Sequence, residues 1–206
     1  NPAQMRLRYF QNTNGFFFKN SLNNEAQLVN ADNGPMVFKT NDTERVRILS
    51  SGGITFNGDT AAANTLDDYE EGTWTPTLTY AGGNTGQVMA SGDTEGTYVK
   101  IGKLVTVNCR WAQTTKGSST GVVRISLPLA VSDDLVSTSI EASGAMAYYT
   151  DITVSHTHLA PAAWGGTSYV RFYYRASDTN TGMTALSDNH VGNTFDGRFT
   201  ITYRTT

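Results

Sequence analysis

The sequence predicts an all-β protein, an intertwined trimeric β shaft followed by a β-sandwich head of jelly-roll type, on three observations. The first is composition: 16% of the 206 residues are charged and 20 Gly accompany only 5 Pro, whereas soluble domains are typically about 25% charged. Thr, Asn and Ser must therefore carry solubility, and together with Tyr, Phe and Gly they favour strands and turns over helices. The second is a period of two in the apolar residues, with no segment holding a helical period over three turns. The third is turn chemistry, since short apolar runs alternate with clusters rich in Asn, Asp and Gly. An aromatic content of 11% excludes the disorder that low charge would otherwise suggest.

Residues 1–65 read as short strands separated by turns. Met5 to Phe10 leads into Asn12-Thr13-Asn14-Gly15, then Phe16 to Lys19, and Gln27 to Val29 leads into Asp32-Asn33-Gly34-Pro35. Met36 to Thr40 is followed by Asn41-Asp42, Glu44 to Leu49 by Ser50-Ser51-Gly52-Gly53, and Ile54 to Phe56 by Asn57-Gly58, the last a strong turn signal because both residues tolerate positive φ. Met5, Leu7 and Tyr9 share one face with Arg6 and Arg8 on the other, and Val46 and Ile48 oppose Arg45 and Arg47. Strands about five residues long cannot close a core alone. Three copies wrapped about one axis would cover each apolar face and remove the exposed edges. The alternative is an irregular meander leaning on the C-terminal domain.

Residues 66–80 form an acidic joint and linking strand, Leu66-Asp67-Asp68-Tyr69-Glu70-Glu71-Gly72-Thr73-Trp74-Thr75-Pro76-Thr77, then Leu78-Thr79-Tyr80. Residues 81–206 have the size of one domain. Their expected strands are Gly96 to Ile101, Lys103 to Ala112, Val122 to Leu129, Ser137 to Tyr149, Ile152 to His158, Thr167 to Arg175 and Arg198 to Thr205. Val105, Val107 and Cys109 alternate with Thr106, Asn108 and Arg110, and Tyr169, Arg171 and Tyr173 with Val170, Phe172 and Tyr174. This is the signature of half-buried antiparallel strands.

A net charge of −3 lacks the basic footprint that duplex nucleic acid or an anionic membrane requires. No apolar run approaches the roughly 18 residues of a membrane-spanning helix. The start, Asn1-Pro2-Ala3-Gln4, is neither an initiator Met nor a signal peptide, so the chain reads as a piece of something longer. The lone Cys109 reads as a small buried hydrophobe. Trp74 and Trp111 read as packing residues.

The segment Gly34-Pro35-Met36-Val37-Phe38-Lys39-Thr40-Asn41-Asp42-Thr43-Glu44-Arg45-Val46-Arg47-Ile48, closed by Ser51-Gly52-Gly53-Ile54, resembles a repeat of the distal tail fibres of tailed bacteriophages. Gly72-Thr73-Trp74-Thr75-Pro76 is similar to the junction before their terminal β domains, and Tyr98-Val99-Lys100-Ile101-Gly102-Lys103-Leu104-Val105 to the opening of such a domain. The matches cover roughly a third of the chain at the level of pattern. The resemblance implies a homotrimer with upstream tail-fibre proteins as neighbours, located on the virion and made in the host cytoplasm. Its head would contact a bacterial cell-surface receptor, a glycan or an outer-membrane component. The region from Asp151 to Gly197 follows no family pattern, and a receptor site is expected to be most individual there.

Gly117-Ser118-Ser119-Thr120-Gly121 matches a nucleophile elbow in letters, but that motif needs a helix after it, and strands flank this one. It reads as a hairpin loop. Asp67-Asp68 and Glu70-Glu71 are adjacent carboxylates in a joint, unlike a glycosidase pair held roughly 5–9 Å apart across a cleft. They read as a solvated face or as partners for arginines of a neighbouring chain. His156-Thr157-His158 on a strand would point both rings one way and, on a threefold axis, could ring a metal; solvent or a neighbouring subunit is the favoured surrounding. No cofactor is expected. Tyr169 to Arg175 interleaves basic and aromatic residues as single-stranded nucleic-acid binders do, and the acidic balance of the chain argues against that use.

A sugar needs a flat aromatic surface and a ring of hydroxyl-binding side chains. Trp164 beside Gly165 and Gly166 offers the first, unless it plugs the end of the sandwich. The tail loop offers the second through Asp178, Asn180, Asp188, Asn189 and His190. The sequence-level expectation is a non-catalytic receptor-binding fibre tip. A fibre-borne depolymerase and a purely structural cap are the alternatives.

Overall fold

The computed structural model describes residues 16–20, 26–30, 32–61, 64–66, 68–133, 140–176 and 182–206, and the chain divides into two compact units, Asn1–Asp67 and Asp68–Thr206. The strand expected at Met5 to Phe10 lies outside the described residues. In the first unit, β1 (Phe16–Asn20) pairs antiparallel with β2 (Ala26–Asn30). Strands β3 (Met36–Thr40), β4 (Thr43–Ile48) and β5 (Ile54–Phe56) form a meander. Asn41 and Asp42, both at positive φ, make the two-residue turn whose twist matches paired strands. Register aligns Met36, Ile48 and Ile54 in one row and Phe38, Val46 and Phe56 in the next. The pleat places both rows on one face, and Leu66 joins it by bridging to Ile54. Phe38, Ile48, Phe56 and Leu66 are 37 to 54% exposed, so this apolar face is poorly covered within one chain.

The second unit contains, in chain order, β6 (Tyr69–Trp74), β7 (Leu78–Tyr80), β8 (Val88–Met89), β9 (Glu95–Ile101), β10 (Leu104–Thr115) and β11 (Val123–Ser126). They are followed by β12 (Ile140–Ser143), β13 (Ala145–Tyr149), β14 (His158–Trp164), β15 (Tyr169–Arg175), β16 (Thr184–Ala185) and β17 (Asp196–Arg204). One antiparallel sheet runs β13-β17-β10-β9-β6 with β8 on β10, and the other β12-β14-β15-β11-β7 with β16 on β15. Val105, Val107, Cys109 and Trp111 of the first sheet meet Val123, Ile125, Val170 and Phe172 of the second in one core. Trp111 sits at the join, its ring 5.2 Å from Phe172, 5.3 Å from Phe195 and 6.0 Å from Phe199.

Glycines make room for these large rings. Gly197 lies opposite Trp111 and Gly96 opposite Trp74, and a Cβ on either would collide with the indole. Each indole thus covers a backbone that would otherwise be left bare by its glycine. Burial pushes the thiol of Cys109 up, which leaves it an inert packing group.

Several expected elements differ from the observed ones. Of the strand expected at Ser137 to Tyr149, Ser137 to Ser139 lie outside the described residues and the rest is not one strand: β12 and β13 belong to different sheets and pivot at Gly144, where a Cβ would collide with the Thr200 carbonyl oxygen. Ile152 to His158 is irregular apart from a bridge between Ile152 and Val191, because its backbone bonds go to the 190s loop, as in Thr153 N–H to the His190 carbonyl at 2.9 Å. The segment Gly117 to Gly121 joins β10 to β11 across the two sheets and so is not a hairpin. The residues of the acidic joint continue directly into the sheets as β6 and β7.

Candidate functional site

Strands β14 and β15 form a hairpin pinned at its turn. The Thr167 hydroxyl lies 2.8 Å from the Trp164 carbonyl, and the Gly166 and Val131 amides donate to Val131 and Thr167 carbonyls at 3.1 and 2.8 Å. Alternation sends Val170, Phe172 and Tyr174 into the core and Tyr169, Arg171 and Tyr173 outward. Trp164, expected in a loop, ends β14 and lies on the same outer face, because the strand continues through Pro161.

The outward side chains form a ladder of rings and guanidinium groups. Arg171 lies 4.5 Å from the Trp164 ring and 5.6 Å from that of Tyr169, and its Nη2 donates to the Tyr169 hydroxyl at 3.2 Å. The Arg124 guanidinium lies 4.5 Å from the centroid of the same Tyr169 ring. The Trp164 and Tyr173 rings are nearly parallel, 21° apart with centroids 6.5 Å distant. Small residues, Ala160 and Ala162, face Tyr173 and Arg171 across the hairpin. Burial acts against the Arg171 charge, yet hydrogen bonds to Tyr169 and Tyr173 outweigh it and raise its pKa further. Arg124 Nε, Arg171 Nε and Trp164 Nε1 are enclosed without an acceptor.

The other expected binding residues lie elsewhere. Asp188, Asn189 and His190 form one 3-10 turn. The Asp188 carboxylate is buried and accepts the Gly121 amide at 2.7 Å, while its carbonyl accepts Lys116 Nζ at 3.0 Å. His190 packs edge-on against Tyr174 at 5.1 Å and its Nδ1 accepts the Ser187 amide at 3.2 Å. Asn189 is exposed. Tyr174 and the Trp164 end of the hairpin are separated by five residues of β15, about 17 Å. The structure therefore does not bring this turn together with Trp164. Asp178 and Asn180 lie outside the described residues.

His156 precedes β14 and is held by the Val154 carbonyl at 2.8 Å and the Tyr149 hydroxyl at 3.1 Å, while His158 opens the strand. Among the described residues no group of His, Cys, Asp and Glu is arranged to hold a metal. The acidic joint is engaged within its own chain: Asp68 with Lys100, Glu70 with the Tyr98 hydroxyl, and Glu71 with the Tyr69 hydroxyl at 2.9 Å.

The alternation of Tyr169, Arg171 and Tyr173 is legible in the sequence as one polar face of a strand; the stacking of its side chains on Trp164 is not. Arg124, some 45 residues earlier, joins them only through strand register, opposite Arg171. A cleft of about 400 Å³ lies against the first sheet and includes Glu95, Thr97, Asn108, Arg110 and Arg198. Its charges are mixed, and Arg110 pairs with Asp93 at 2.6 Å. Among the described residues no helix is long and apolar enough to cross a membrane. Comparison with family models, curated proteins and solved structures finds no match to the chain.

Proposed function

We propose that this chain is the distal part of a homotrimeric tail fibre of a tailed bacteriophage, which attaches the virion to its host by binding a cell-surface receptor, a glycan or an outer-membrane component, without catalysis. The observation that carries the reading is the Trp164, Arg171, Tyr169 and Tyr173 face: rigid aromatic surface and hydrogen-bond donors on a hairpin whose turn is pinned. Rings present flat apolar area to a pyranose, and phenol and guanidinium groups meet its oxygens.

Two poorly covered apolar surfaces support a self-associating fibre. One is the face of Met36, Phe38, Val46, Ile48, Ile54 and Phe56. The other is the row Tyr69, Ile101 and Leu104, aligned across β6, β9 and β10 and 49 to 63% exposed. Contiguous exposed apolar area of this kind marks association surfaces. Three symmetric copies would cover both, and multivalency would turn weak single sites into firm attachment.

Fluorescently tagged protein is expected to decorate susceptible bacteria, and extraction of surface polysaccharide from those cells is expected to abolish it. Release of reducing ends from that polysaccharide would replace this reading with a depolymerase. Absence of decoration on every susceptible strain would leave a structural cap.

A further inference from the structure

We propose that the outer face of the β14–β15 hairpin, together with Arg124, is a receptor for an acidic saccharide: Trp164 and Tyr173 take the apolar face of a pyranose ring, and Arg171 and Arg124 take its carboxylate or phosphate. The proposal rests on the glycan-binding reading above and narrows it from hydroxyl-rich sugars in general to sugars that carry negative charge.

The register of the sheet is the first ground. Arg124 and Arg171 stand directly opposite one another on β11 and β15, in a row that continues to Thr79 on one side and to Ala162 on the other. Like charges directly opposite on neighbouring strands are destabilising, so the two arginines form an unfavourable pair. The row itself supplies no carboxylate to offset it. Elsewhere in the chain arginine and lysine do meet carboxylates, as Arg47 with Glu44, Lys100 with Asp68 and Arg110 with Asp93. Arg124 and Arg171 instead rest on the rings of Tyr169 and Trp164, with phenol hydroxyls as the hydrogen-bond partners of Arg171. Asp133 and Glu141 gather against Gly165, at the hairpin turn.

The second ground is preorganisation. A guanidinium held 4.5 Å over an indole and fastened to a phenol has lost much of its rotamer freedom before any ligand arrives, and a planar fork suits bidentate binding of carboxylate or phosphate.

The full chain, titrated calorimetrically with a galacturonate tetramer, a neutral galactose tetramer, glucose 6-phosphate and single-stranded oligothymidylate, tests the proposal. The galacturonate tetramer is expected to bind about tenfold or more tightly than its neutral counterpart, the scale of charge-assisted hydrogen bonds, and to weaken as salt rises. Comparison with glucose 6-phosphate tells whether carboxylate or phosphate is the preferred anion. Arg171→Gln and Arg124→Gln are expected to erase the preference for acidic sugar without loss of the folded melting transition. Arg171→Lys, which keeps the charge but not the fork, is expected to lose most of it, and Trp164→Ala to weaken all the sugars alike. Equal affinity for acidic and neutral tetramers overturns the acidic class and leaves the glycan reading standing. Failure of every sugar to bind defeats the glycan reading itself. Tighter binding of oligothymidylate than of either tetramer assigns the face to nucleic acid, and a changed assembly mass in the glutamine variants assigns it to contact between subunits; either result overturns the proposal.

Discussion

Gln113 is buried near the end of β10 and uses its whole amide. Its Oε1 accepts the Tyr80 hydroxyl and Gln87 Nε2, each at 2.8 Å, and its Nε2 lies 3.2 Å from the carbonyls of Gly192 and Asn193. One side chain thereby ties β7 and the loop after β16 to the first sheet. Gln113→Ala strands several of these groups, each at roughly 1–3 kcal/mol, so a loss of about 3 kcal/mol and a fall in melting temperature on the order of 10 °C are expected by calorimetry. Tyr80 also sets a pH limit. Burial is the main cause that pushes its hydroxyl up to about 12 from an ordinary 10.0, and burial likewise raises Tyr203 and Cys109, the latter from an ordinary 9.0. Groups with raised folded values contribute stability that is complete below their unfolded values and is lost as pH climbs toward the folded ones. The melting temperature is therefore expected to hold steady to about pH 9 and to fall steeply between about 10 and 12. A flat profile through pH 12 would show these groups to be accessible to solvent.

At the scale of elements, the β12–β14 region departs most from the rules of sequence reading. Pro161 sits inside β14 with strands on both sides. Proline is usually confined to edges because it lacks an amide hydrogen. Here its carbonyl accepts the Gly144 amide at 2.9 Å, on the side where β12 ends and the chain turns away to the other sheet. In an antiparallel strand the N and C=O of one residue point the same way, so the missing donor falls where the ladder closes. Gly144 is the matching half of the device, since a side chain there would meet Thr200 and Ile201. Gly144→Ala is expected to cost roughly 1–3 kcal/mol through forced repacking, measured by denaturant titration. An unchanged midpoint would mean that β17 can yield at that point. At an edge of the first sheet, β6 carries Glu70 and Glu71, and charges of this kind protect an edge strand from further pairing.

The molecule as a whole keeps its apolar area in two places: a closed core in the second unit, and surfaces left open in both units. The reading of a self-associating fibre makes those surfaces separable from the fold. Phe56→Asp in the first unit and Leu104→Glu in the second alter side chains that are 54% and 51% exposed, so each chain is expected to keep its circular dichroism spectrum. The parent chain is expected to scatter light as a trimer, and the double variant as a monomer. A monomeric parent, or a double variant that stays trimeric, would remove these surfaces from the interface.

The sequence by itself determined the all-β class, the positions of most strands, and the inward faces, because side-chain alternation and turn chemistry are local. Val105, Val107 and Cys109, or Val170, Phe172 and Tyr174, declare their face within five residues. The turns at Asn41-Asp42 and Asn57-Gly58 are likewise legible, since positive φ favours those residue types. Only the tertiary structure decided which strands share a sheet. It moved the chain from one sheet to the other at Gly144, carried β14 through Pro161, and set Arg124 against Arg171 with Trp164 and Tyr169 around them. Local preferences do not encode register between distant strands; it follows from the joint burial of Trp111, Phe172 and Phe199, which come together only when both sheets have formed.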